Sequence, residues 1–144
     1  MKKIVCFACL CLSLVACGSE DDYYVCKFED QKATATMEIY YDHESDKVLK
    51  IVVDSEQEIT NEELDAFEDS DFDDYWNANA SSIEMDGVSV SSKYKKSDQI
   101  ASMTITINVD NLDKSNRNIF LIPDNLSVKE MIKMVKKENY KCND

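Results

Sequence analysis

Gln99-Ile100-Ala101-Ser102-Met103-Thr104-Ile105-Thr106-Ile107-Asn108-Val109-Asp110 decides the fold. Ala101, Met103, Ile105, Ile107 and Val109 alternate with Ser102, Thr104, Thr106 and Asn108. Successive side chains of a strand point to opposite faces, so this period of two buries one side and wets the other. The chain therefore holds a sheet with one covered face. An amphipathic element elsewhere must supply the cover.

Working upstream, Val88 to Lys96 reads as a partner strand, joined through a turn at Ser97-Asp98. Val90 and Tyr94 lie on one of its faces, Lys93 and Lys95 on the other. Tyr23 to Glu29 reads as a first strand, followed by a turn at Asp30-Gln31-Lys32. Ala33 to Tyr41 alternates, with Ala35, Met37, Ile39 and Tyr41 facing the core. Lys47 to Glu58 is a third strand with Leu49, Ile51 and Val53 on one face. Val48 and Val52 fall opposite, which predicts partial cover on both sides.

Two helices complete the pattern. Thr60-Asn61-Glu62-Glu63 has capping-box spacing and starts one. Leu64, Phe67, Phe72, Tyr75, Trp76 and Ile83 share a broad face at helical spacing, with a bend or break expected around Asp69 to Asp71. Ser127-Val128-Lys129-Glu130 has the same spacing and starts the other. Val128, Met131, Ile132 and Val135 form its apolar stripe, and Asn139 suits a left-handed cap. The expected class is α+β. A single antiparallel sheet of about five strands, in the order β-β-β-α-β-β-α, carries both helices packed on one face.

The other end of the chain fixes an expected location. Met1-Lys2-Lys3 is a basic start, and Ile4 to Ala16 is apolar apart from Ser13. The run is too short to span a bilayer, which takes about 20 residues. Leu14-Val15-Ala16-Cys17 closes it. This resembles a bacterial lipoprotein signal and its lipobox. The resemblance implies a signal peptide over residues 1–16, a lipid on Cys17, a tether over 17–22 and one domain over 23–144. An ordinary secretory signal, cleaved after Ala16, is the alternative. Two acyl chains anchor stably where one is marginal. Charge cannot do this work. Without Lys2 and Lys3 the chain keeps 14 basic and 29 acidic residues, a formal charge of 14 − 29 = −15. Anionic lipid and nucleic acid both repel such a chain. An apolar content of 44% with 9% aromatics still argues for a packed core over disorder.

Removal of the signal takes Cys6, Cys9 and Cys11 with it, and Cys17 carries lipid. Cys26 and Cys142 remain. An even pair in an exported chain reads as a disulfide. Closing so long a loop contributes roughly 4–5 kcal/mol in the chain-entropy model. It requires the first strand and the end of the last helix to lie side by side. Metal binding is the weaker reading, because the spacing fits no zinc motif and His43 is the sole histidine.

The chemistry-bearing motifs are sparse. Asp69-x-Asp71-x-Asp73 opens like a calcium loop, but Asp74 replaces its glycine and Ala80 its bidentate glutamate. A solvated helix face is the plainer reading. No G-x-S-x-G, S-x-x-K or phosphate-binding glycine loop occurs, and there are two glycines in all. No enzyme, metal or cofactor is expected. Tyr40 is out of phase with the buried set of its strand and is the candidate contact residue; an ordinary amphipathic strand position is its plainer explanation.

Asp46-Lys47-Val48-Leu49-Lys50, the acidic-to-aromatic helix, Lys93-Tyr94-Lys95, Ile105-Thr106-Ile107-Asn108-Val109-Asp110 and the terminal helix together resemble the YehR-like family of small bacterial lipoproteins. The resemblance implies an α+β domain of unknown biochemical role and brings no catalytic residues. The function expected is a membrane-anchored, extracytoplasmic module of the cell envelope that binds a protein or peptide and no nucleic acid. Small-molecule binding in a cleft between helices and sheet is the second reading, and envelope hydrolysis the third.

Overall fold

A computed structural model of the chain describes residues 22–67 and 71–143. Cys17 and the expected signal lie outside these residues. The elements run β1 (Asp22–Glu29), β2 (Ala33–Asp42), β3 (Lys47–Glu58), α1 (Asn61–Asp65), α2 (Phe72–Ile83), β4 (Val88–Lys95) and β5 (Ile100–Asn108). A 3-10 turn (Lys114–Phe120), α3 (Val128–Lys137) and β6 (Lys141–Cys142) follow.

The class is α+β with a single antiparallel sheet. Its strand count and element order differ from expectation. The sheet has six strands, ordered β4-β5-β3-β2-β1-β6, because the last residues pair with the outer edge of β1. Two residues are too few to alternate legibly, so β6 carries no sequence signal. The first helical stretch is two helices, α1 and α2, parted in the region of the expected break. Thr60 and Glu63 form a complete capping box on α1, and the Glu63 carboxyl is held below its usual range by the backbone bond from Thr60. Asp71 then caps a new helix by accepting from the Asp73 N–H.

Register assigns every strand residue to a face. Val88, Ile107, Ile51, Ile39 and Tyr24 form one cross-strand row, and Val90, Ile105, Val53, Met37 and Cys26 the next. Ile39 and Ile51 are wholly buried and Ile107 nearly so. Met131 and Val135 of α3 pack into the same core. A smaller cluster of Ile59, Phe72 and Ala101, flanked by Leu64, Phe67, Trp76 and Tyr94, seats the α1–α2 elbow. Tyr94 shares a face with Ala101, which continues the Ile51 side of the sheet. Both helical layers therefore cover one face.

The phase of β3 departs from simple alternation. A bulge between Tyr40 and Tyr41 sets Tyr40 opposite Lys50 but Tyr41 opposite Val48. Leu49 is the extra residue. Val48 is thereby buried in the core, while Leu49 is exposed, the reverse of their expected faces. Val52 keeps the outer face and is half-buried.

Tight turns hold the strands in register. Asp30 accepts from the N–H groups of Lys32 and Ala33 between β1 and β2. Asn139 takes the left-handed conformation beyond α3, at φ 67°. Gly87 stands before β4 at φ 82°, and a Cβ there would lie 2.6 Å from the Leu112 nitrogen. Gly87→Ala therefore meets both a forbidden backbone region and a backbone clash. It should destabilise the domain by more than about 1 kcal/mol. Urea unfolding checks this; an unchanged midpoint contradicts the packing at that turn.

Candidate functional site

The helices leave the second face of the sheet open. Its residues follow from the same register. Asn108, Lys50, Tyr40 and Tyr23 make one row, and Ser89, Thr106, Val52, Glu38 and Val25 the next. Ser91, Thr104, Asp54, Thr36 and Lys27 lie beyond them. This surface is a Ser/Thr-rich field with an aromatic corner.

The structure places Tyr40 in that corner, half-buried. Its ring stacks on Tyr23 at 5.2 Å between centroids. Lys50 Nζ sits 4.0 Å from the ring centroid on a cation–π path. The Tyr40 hydroxyl donates to Glu38 Oε2 at 2.6 Å. The two rings and the cation thus come from three adjacent strands held together by cross-strand pairing, while the carboxylate belongs to the strand of Tyr40 itself. Tyr23 and Lys50 complete the corner, and phase along β2 alone does not find them. The signal exists only once β1 and β3 are laid in register beside it.

Behind Tyr40, on the core face, Tyr41 stacks on Tyr24 at 5.3 Å. Desolvation pushes the Tyr41 phenol above its ordinary value, and the Tyr24 hydroxyl adds to the shift. This pair anchors the strand end that carries Tyr40.

Elsewhere the chemistry is modest. Cys26 and Cys142 lie opposite each other in the β1–β6 pairing, with Sγ atoms 2.03 Å apart. His43 is exposed in the β2–β3 turn, 3.3 Å from the Asp22 carboxylate. Asp69 lies outside the described residues, and Asp71 is engaged as a helix cap. Among the described residues no group of three His, Cys, Asp or Glu side chains converges to hold a metal ion. A cleft of ≈ 490 Å³ runs beside the α1–α2 elbow, lined by Leu64, Phe67, Phe72 and Tyr94 with Asp71, Asp73 and Lys96 at its rim. The Tyr94 hydroxyl is buried and has no hydrogen-bond partner. Its ring meets Phe72 edge-on at 4.7 Å.

No family model and no curated protein matches the chain. Solved structures do. The NMR structure of the E. coli YehR protein superposes with a TM-score of 0.54 at 16% identity, over 87% of this chain and 92% of that one. The NMR structure of a protein from Streptococcus pneumoniae TIGR4 gives a TM-score of 0.52 at 12% identity, over 84% and 83%. Identity this low speaks for architecture alone. The chain has a YehR-like fold.

Proposed function

We propose that the chain is a bacterial lipoprotein of the YehR-like kind, anchored through Cys17 outside the cytosol, and that its open sheet face is a non-enzymatic binding surface for an envelope protein or peptide. One observation carries the binding reading. Tyr40 is held by Tyr23, Lys50 and Glu38 on the face that none of the described helices covers. A rigid tyrosine contributes contact area with little further loss of side-chain freedom, the property that enriches aromatics in recognition surfaces. The strong acidity of the chain favours a partner with basic groups.

The anchoring reading rests on Leu14-Val15-Ala16-Cys17 and on a net charge that a membrane surface would not attract. The Cys26–Cys142 juxtaposition is in keeping with an oxidising compartment. A small-molecule site at the α1–α2 elbow is the second reading, favoured by the unpartnered Tyr94 hydroxyl beside an aromatic cleft.

Two outcomes test the proposal. Cys17→Ser should abolish both incorporation of labelled fatty acid and membrane fractionation. Label entering the mutant contradicts the anchor. A photo-crosslinking amino acid placed at Tyr40 should give a discrete adduct in intact cells, and one placed at Glu56, on the same face but far from the corner, should not. Equal labelling from the two positions contradicts a site centred on Tyr40.

A further inference from the structure

The described residues hold four exposed large apolar side chains, and three of them belong to elements that start or are anchored at one end of the sheet. Tyr23 (51% exposed) stands at the start of β1, and Leu49 (37%) at the bulge near the start of β3. Ile119 (63%) lies in the 3-10 turn. The segment that carries that turn has both of its feet at the same end. The segment around it is fixed on one side where Leu112 closes on Gly87, before β4, and on the other where Ser127 bridges Lys47, at the start of β3. The fourth, Tyr75, belongs to α2.

The chain enters the fold at this end too. Cys17 precedes Asp22 by only five steps (22 − 17 = 5). Five residues fully extended reach no more than about 18 Å. A lipid on Cys17 would hold the start of β1 within that distance of the acyl boundary. The tether is too short for the domain to present its far end, where Asp30 turns β1 into β2, to the same surface.

We propose that this end of the sheet seats against the lipid bilayer, with Ile119, Leu49 and Tyr23 entering the headgroup region. The inference rests on lipidation of Cys17 and adds an orientation to it. Isolated exposed apolar residues are ordinary on a protein surface. Their gathering at the tethered end is what points to lipid. Tyrosine also suits the interface, with an apolar ring and a wet hydroxyl. The charges at this end are mixed. Lys47, Lys50, Lys114 and Arg117 stand among Asp22, Asp42, Glu44, Asp46, Asp86, Asp110 and Asp113. Acid prevails, so seating is apolar and weakens on anionic lipid. In this pose the sheet strands rise from the membrane, and the field beyond Tyr40 faces sideways, open to a partner.

The test uses the full lipidated protein in phosphatidylcholine vesicles, with or without bromine on the acyl chains. Trp76 is the sole native indole and lies partly buried against β5, where its Nε1–H donates to the Ser102 carbonyl. The wild-type protein therefore supplies the baseline. Ile119→Trp should lose roughly half of the added emission in brominated vesicles, as for a residue within 5–10 Å of the acyl boundary. Tyr23→Trp should behave likewise, and Glu56→Trp, at the far end, should match the baseline. Part of the loss should disappear when phosphatidylglycerol replaces a third of the lipid. Quenching at Ile119→Trp and Tyr23→Trp no greater than at Glu56→Trp, with Cys17 shown lipidated by mass spectrometry, overturns the seating and leaves the anchor intact. An unmodified Cys17 overturns both.

Discussion

The row Ile39–Ile51–Ile107 is the constraint on which the rest depends. Three β-branched side chains from β2, β3 and β5 meet at the centre of the sheet, on one face, and are shut from water. Their neighbours in register, Met37, Val53 and Ile105, extend the apolar surface. A surface of this kind must be covered, and α3 covers it with Met131 and Val135. The period of two along each strand then obliges the alternate residues to face outward. The open field of Thr36, Thr104, Thr106 and Tyr40 is thus the other half of the same arrangement.

One-sided cover separates the tasks of the molecule. Stability resides between helices and sheet. The proposed binding uses the opposite surface, where a substitution disturbs little packing. The aromatic corner is placed where β1 begins, close to the proposed point of attachment. Its order comes from cross-strand neighbours: Tyr23 stacks on Tyr40, and Lys50 lies over the ring. A corner built in this way is tied to β1, β2 and β3 together, so it persists only in the folded sheet.

Much of this was legible in the residue order. Ala33 to Tyr41 and Ala101 to Val109 alternate without interruption, so strand identity and buried face could be read directly. Thr60 and Ser127 mark helix starts because a hydroxyl three residues ahead of a glutamate satisfies free N–H groups. The rest failed for identifiable reasons. The bulge at Leu49 breaks the period locally, and no single strand records a bulge in its pairing. The break before α2 is legible around Asp69 to Asp71, but the capping role of Asp71 is not, because it reads equally as one more acid in an acidic run. The 3-10 turn has a polar sequence, Lys114-Ser115-Asn116-Arg117-Asn118, and only Phe120, Leu121 and Ile122 around its end reach the core. Of the aromatic corner, Tyr40 could be assigned to the outer face from its phase alone. Tyr23 and Lys50 could not, because their nearness to Tyr40 depends on the register between strands.

Among the described residues the two faces of the sheet differ in kind, one packed and one open. Ile51 and Val52 are consecutive residues of the central strand β3 and test it with the least change of context. Urea unfolding of Ile51→Ala and Val52→Ala measures the difference. Ile51→Ala should cost about 3–4 kcal/mol, as for a large side chain removed from a closed core. Val52→Ala should cost less than about 1 kcal/mol, as for a position on a wet face. Equal losses, or a larger loss at Val52, would contradict the one-sided architecture and every inference drawn from it.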